Sequence, residues 1–440
     1  MNVTKDKVST VFFQYSIPSV LGMLAISSAS IVDGFFIGNY VGAFGLAAIN
    51  ISLPIFSFLF GFALMIAIGT SVVVGKLIGE GNIQTASIIF TKAVVSIVVF
   101  SFLSCSILYL NIETLLYYLG ANENLMDIAI EYLSIILIFI PFLMIGIVLD
   151  YFVRIDNRPN LAFITMLLSS IINIVLDYFF IVYLQKGIFG AALATGISQL
   201  ALIFILLPHF FSKKATLKFV SPIGNYIQIL KATYNGASEF INEISVGITT
   251  LIFNYIMIKT FNTEGVAAFA VINYLLWIGI MISFGISDSL QPIISKNFGA
   301  KENKRIEDFL KIAFVSTYFV GFFMIVLIIF VPEQLANLFL EDTNYETKQI
   351  VLNFVTFIWI AFLFNGANLI VSAYFTAIHK PLHSAIIAIS RSFIFPVLFI
   401  FILPMIFEKN GIFLVIPIAE FITFILAIVL FKNFSPKKIV

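Results

Sequence analysis

Five carboxylates and one arginine lie well inside long apolar runs: Asp33, Asp177, Glu239, Glu243 and Glu420, with Arg391 as the matching cation. A charge in such surroundings costs several kcal/mol unless it is paired, hydrated or neutralised by a proton, so each one needs a reason. Asp33 and Asp177 fall toward the same end of their runs. Asn173 precedes Asp177 by one helical turn and shares its face. Thr195 lies about two turns into the following run. Two carboxylates with an amide and a hydroxyl suit a hard monovalent cation, or a proton shared between the carboxyls. The bland reading is that the two acids face water near helix ends.

A second group lies late in the chain. Glu239 and Glu243 are one turn apart, Arg391 is in the middle of its run, and Glu420 is in the middle of the last. An isolated arginine at that depth is expensive, so Arg391 is expected to pair with Glu243 or Glu420. The cluster then reads as a binding site for a cationic drug or a second proton, or as a structural ion pair; the sequence leaves both open.

The elements that hold these residues follow from composition. The 440 residues are 61% hydrophobic and only 11% charged, and the mean hydropathy is +1.09. A water-soluble chain carries about a quarter charged residues, so lipid is the solvent that this composition fits. A bilayer core needs roughly 20 apolar residues per helix. Twelve runs meet that length, at about 11–37, 46–72, 85–108, 127–151, 160–184, 188–211, 226–258, 266–290, 306–330, 349–376, 382–407 and 411–432. The first is too long for the core of a signal peptide and is expected to stay as the first span. With the N-terminus placed in the cytoplasm, Lys186, Lys259, Lys348 and Lys409 fall outside and Lys92 and Arg391 within helices, leaving eighteen of the 24 Lys and Arg inside. That bias supports a multi-pass membrane protein with both termini cytoplasmic, and it supports the count of twelve.

The chain is duplicated. Gly45-Leu46-Ala47-Ala48 and Lys76-Leu77-Ile78-Gly79 recur 220 residues later as Gly265-Val266-Ala267-Ala268 and Lys296-Asn297-Phe298-Gly299. Tyr151-Phe152 and Arg158-Pro159 are echoed by Tyr374-Phe375 and Lys380-Pro381. Six helices per half is an even number, so the repeats are parallel, an arrangement that suits alternating access in a carrier. The expected division is an N-terminal lobe over 1–212, a cytoplasmic linker over 213–225 and a C-terminal lobe over 226–440. Pro18, inside the first helix, reads as a static kink or as a hinge that moves Asp33. The 51 phenylalanines are mostly lipid-facing or core filler, with a minority expected to line a cavity for flat, lipophilic cations.

Other chemistries are poorly served. Cys105 is the single cysteine and lacks a partner, and His209, His379 and His383 form no metal motif. No metal beyond a possible Na⁺ and no cofactor are expected, and no nucleic acid as partner. A membrane enzyme would need a nucleophile with a base, or a metal set, at one depth. A channel would not need duplicated lobes.

The runs Ser16-Ile17-Pro18-Ser19-Val20-Leu21-Gly22-Met23 and Ile31-Val32-Asp33-Gly34-Phe35-Phe36-Ile37-Gly38 resemble the first-helix signature of the MATE (multidrug and toxic compound extrusion) transporters. Asn173-Ile174-Val175-Leu176-Asp177-Tyr178-Phe179-Phe180-Ile181 and Gly190-Ala191-Ala192-Leu193-Ala194-Thr195 resemble their fifth and sixth helices. Gly411-Ile412-Phe413 with Pro417-Ile418-Ala419-Glu420 resembles the twelfth helix of a bacterial multidrug branch. The resemblance implies an all-α protein of twelve transmembrane helices in two six-helix lobes with a V shape. It implies exchange of organic cations for Na⁺ or H⁺, a cation site of Asp33, Asn173, Asp177 and Thr195, Pro18 as the first-helix bend, and a monomer. Tyr178 stands where many members have proline, and Ile147 where some have asparagine, which leaves proton coupling or a sparser Na⁺ site open. Asp150, near the cytoplasmic end of the fourth helix, is expected to lie too deep to join Asp33 and Asp177. The rival within the same architecture is a flippase of lipid-linked saccharides, which would want a basic cavity; the buried charge here is mostly acidic.

Overall fold

The computed structural model describes residues 2–222, 224–337 and 345–438, and these form helices without strands. In chain order the helices are α1 (Val8–Tyr40), α2 (Ala43–Gly79), α3 (Ile83–Leu110), α4 (Ile112–Tyr118), α5 (Glu123–Ile155), α6 (Pro159–Asp177), α7 (Gly187–Leu206), α8 (Ile227–Tyr234) and α9 (Ala237–Gly299). There follow α10 (Asn303–Phe330), α11 (Pro332–Asn337), α12 (Tyr345–Ile358), α13 (Asn365–Ala377), α14 (Pro381–Ile389), α15 (Phe395–Phe407) and α16 (Lys409–Asn433). Eleven helical stretches are long and apolar enough to cross a membrane. One of them, α9, is two helices: Phe261 and Asn262 leave helical geometry, with φ of +54° at Asn262. A positive φ cannot continue a right-handed helix, so the chain breaks there. Among the described residues the count is therefore twelve spans.

Local chemistry sets the ends. The Asn82 side chain accepts from Thr85 N at 3.2 Å and Asn122 from Leu125 N at 3.0 Å, capping α3 and α5. Pro159 and Pro381 open α6 and α14, where a missing amide proton costs nothing. Gly81, at φ +80°, turns the chain between α2 and α3.

Two compact units result. The first holds Ile17–Phe240 and the second Asn2–Ser16 with Ile241–Val440. In the first, α5 is central and packs on α2, α3 and α7, burying Leu133, Ile140, Met144 and Val148 among others. In the second, α16 packs on α12, α13 and α15, around Phe354, Phe413 and Ile400. The outer stripe of α10, with Val315, Phe319, Phe322 and Phe323, is exposed; at spacings of three and four residues it is a face for lipid.

The divisions differ in detail from those expected of the sequence. The 226–258 run is broken, because Asn235 and Gly236 separate α8 from α9. Gly236 lies against α2: an added Cβ would meet Met65 O at 2.2 Å, and one on Gly69 would meet Ala232 O at 2.4 Å. The segment 213–222 is hydrogen-bonded to the first unit through Thr216 N to Asp156 at 3.0 Å and Val220 N to Thr91 Oγ1 at 3.1 Å; Ile223 lies outside the described residues. Asp156 is also bonded to His209 Nε2 at 2.7 Å. Lys92, whose side chain is buried, donates to Asn225 O at 3.1 Å. At the other end of the chain, Arg305 of α10 holds Val3 O at 2.9 Å and Asp6 O at 2.6 Å, so the residues before Ile17 pack with the second unit.

Candidate functional site

The inward stripe of α6 runs Thr165, Met166, Ser170, Asn173 and Asp177, spaced by one helical turn or its fraction. Immediately after Asp177 the helix widens into a π-helical turn, Tyr178–Tyr183, closed by Leu184 N to Phe179 O at 2.9 Å. Such turns rephase a helix and recur at functional positions. Here Tyr178 and Phe179 are turned outward while Asp177 stays fully buried.

Neither oxygen of Asp177 has a hydrogen-bond partner among the described residues, nor do Asp33 Oδ1 and Asn173 Nδ2, and all four atoms are out of solvent reach. Asp33 on α1 and Asp177 on α6 each stand four residues before a member of one buried apolar cluster, Ile37 and Ile181, and Tyr132 of α5 packs against the same cluster. The two acids and the phenol thus flank one apolar cluster of the first unit. Ile188 and Ala191 complete that cluster. Leaving one buried polar atom unpaired costs about 1–3 kcal/mol, and more when it is charged. Asp33, Asn173 and Asp177 are therefore the buried polar groups of the first unit whose chemistry best suits a cation or a proton.

The remaining predicted member, Thr195, lies half-buried on α7. Its carbonyl accepts from Ser198 Oγ at 2.7 Å, and Ser169 Oγ of α6 donates to Ser198 O at 2.7 Å, which fixes the register of α6 against α7. Close packing of α7 on α5 requires Gly196, where a Cβ would lie 2.2 Å from the Phe139 ring. One turn beyond Thr195, Gln199 is buried with its Oε1 unpartnered. Tyr132 and Gln199 are additions to the sequence reading. Their only signal was a lone phenol and a lone amide within apolar runs, which is weak against many polar residues of purely packing role.

Pro18 is accommodated in a continuous α1. Next to it, Ser19 Oγ accepts from Arg154 Nη1 at 2.9 Å, and Arg154 pairs with Asp150 at 2.8 Å, both side chains buried. Asp150 is thus committed to Arg154. Gly22 permits α1 to rest on Met166, whose sulfur an added Cβ would meet at 2.6 Å.

In the second unit, Arg391 pairs with Glu420 and not with Glu243: Nε to Oε1 is 2.8 Å. Asn365 Nδ2 donates to Oε1 at 2.8 Å and Asn368 Nδ2 to Oε2 at 2.7 Å. Arg391 lies in the second π-helical turn, Ser390–Ile394, and Thr249 Oγ1 binds Ser392 O of that turn at 2.6 Å. Asn365 and Asn368, one turn apart on α13, were not foreseen. Glu243 is half-buried and stands outside this network. Glu239 is buried and belongs to the first unit, because the start of α9 is held to α2 through Gly236. The four residues grouped by sequence are therefore not one cluster: Arg391 and Glu420 are bonded to each other, and Glu239 belongs to the other unit.

Comparison with known proteins places this arrangement. The family model described as MatE matches residues 18–179 and again 240–402, once in each half. The Multidrug export protein MepA of Staphylococcus haemolyticus is 26% identical over 429 residues, covering 96% of this chain and 93% of that protein. The protein of the same name from Staphylococcus saprophyticus is 23% identical over 414 residues, covering 93% and 89%. A MATE crystal structure in complex with MaL6 superimposes with a TM-score of 0.94 at 21% identity, covering 99% of this chain and 98% of that one. The fold is theirs, and with both halves matched the chain belongs to the MatE family.

Proposed function

We propose that the chain is a secondary active antiporter that exports organic cations and drugs in exchange for Na⁺ or H⁺. The observation that carries the reading is the pair of carboxylates, Asp33 and Asp177, in the first unit with their buried oxygens unpartnered. The relatives named as multidrug export proteins support the cargo class, and family membership sets aside an enzyme. The acidic character of the buried groups favours cationic over pyrophosphate-bearing cargo, so the flippase alternative is the weaker one.

Coupling is a difference in affinity. An ion can drive export only if it binds one conformation better than the other, and the drug must respond to the same equilibrium. In this reading Asp33 and Asp177 take the ion, Asn173 and Thr195 complete its oxygen shell or hold the protonated carboxyl, and Pro18 lets α1 respond to loading. Arg391 and Glu420 neutralise each other and organise the second unit, while Glu243, half-buried and outside their network, is the acid best placed to meet a cationic cargo or a second proton. No cofactor is required. The partners are lipophilic cationic small molecules and the bilayer, and the working form is a monomer. The distribution of Lys and Arg supports cytoplasmic termini, and the staphylococcal relatives support a bacterial plasma (inner) membrane.

The test is ethidium export by purified protein in liposomes, with a Na⁺ gradient and a pH gradient applied separately. Transport under one of them names the ion. No transport under either sinks the reading and moves attention to lipid-linked cargo.

A further inference from the structure

The short helix α8 has three faces of different chemistry. Ile229, Ala232 and Thr233 are buried against the first unit, where α8 packs on α2 and α3. Tyr226, Ile227, Leu230 and Tyr234 are all exposed, Leu230 the most at 67%. At spacings of three and four residues these form one stripe. Next to that stripe, Lys231 and Gln228 make an exposed polar edge. Three exposed lysines, Lys213, Lys214 and Lys218, lie in the strand of chain that leads to α8, and that strand is itself tied down by Asp156, Thr91 and Ser87. The segment is therefore held in place, and its exposed apolar stripe is not a loose loop.

A helix with one face on protein, one apolar and one basic fits the line where protein, lipid and water meet. The apolar stripe enters the acyl boundary, and the tyrosines at its two ends sit at headgroup level. The lysines meet phosphate. We propose that α8 and the segment before it form a binding surface for anionic phospholipid headgroups at the membrane face. The charge complementarity selects the occupant: four lysines are exposed over Lys213–Lys231, with no acidic residue anywhere between them. Each lysine held near an anionic surface favours such lipid several-fold, and the effect decays within a Debye length.

The experiment uses the full chain in liposomes. Cys105 is replaced by alanine, and a Leu230→Cys variant carries an environment-sensitive fluorophore. Quenching is read with brominated phosphatidylglycerol and, separately, with brominated phosphatidylcholine in otherwise identical vesicles. Quenching roughly threefold stronger by the anionic lipid is expected. The preference should vanish when Lys213, Lys214, Lys218 and Lys231 are all changed to glutamine, and a fluorophore at Gln228→Cys should be quenched less than one at Leu230→Cys. Equal quenching by both lipids would overturn the headgroup preference. A Leu230 probe that neither lipid quenches would overturn the interfacial placement itself.

Discussion

Replacing Arg391 with methionine removes one charge from the centre of the second unit and leaves the volume nearly filled. Glu420 then keeps two neutral amide donors, Asn365 at 2.8 Å and Asn368 at 2.7 Å, but loses its counter-charge. The side chains of Arg391 and Glu420 retain only 13% and 7% exposure, so water cannot replace what is lost. Removing one partner of a buried pair costs about 3–5 kcal/mol. The residual exposure of Arg391 puts the expectation at the lower end, about 3 kcal/mol. At about 2–4 °C per kcal/mol for a cooperative unit of this size, Tm should fall by roughly 6–12 °C. The double variant Arg391→Met with Glu420→Gln removes both charges and should recover more than half of that loss. The assay is graded heating of detergent-purified protein, followed by the surviving monodisperse fraction on gel filtration, for all four members of the cycle. A single variant within about 2 °C of the parent, or a double variant whose loss equals the sum of the singles, would refute the pairing argument.

Gly69→Ala forces a Cβ to 2.4 Å from the Ala232 carbonyl and should destabilise by about 1–3 kcal/mol. Gly247→Ala, with nothing within 4 Å, should be neutral or slightly stabilising in the same thermal assay. Tyr132→Phe and Gln199→Leu should each weaken the apparent affinity for the driving ion about three- to tenfold while leaving the fold intact; initial transport rates against ion concentration decide, and unchanged curves would mark both residues as packing only. Glu243→Gln should shift the export profile away from cationic drugs relative to neutral ones, and an unaltered profile would leave Glu243 a structural residue.

Most of the scaffold was legible because lipid imposes a simple rule. A span needs a minimum apolar length, and polar punctuation ends it, so the predicted 85–108 became Ile83–Leu110 and 382–407 became Pro381–Phe407. The rule fails where backbone, rather than hydropathy, decides. Nothing in the hydrophobicity of 226–258 separates α8 from α9; the close approach of Gly236 to Met65 does. The two π-helical turns, one after Asp177 and one around Arg391, have no compositional signature either. In the site, Asp33 and Asp177 stood out because carboxylates in apolar runs are costly. Arg391 announced that it had a partner, yet Asn365 and Asn368 stayed hidden, since amides in membrane helices are common and cheap. Glu239 and Glu243 looked like a pair from their spacing, and the chain divides between the units one residue after Glu239.

The central claim is that Asp33 and Asp177 couple an ion gradient to export. Its most direct measurement is ethidium transport and ethidium binding side by side in the parent, Asp33→Asn and Asp177→Asn, in liposomes under whichever gradient drives the parent. Both variants should insert, stay monodisperse and still bind ethidium, while gradient-driven export is lost. Export at the parental rate in both variants would contradict that claim, and would place the coupling site elsewhere.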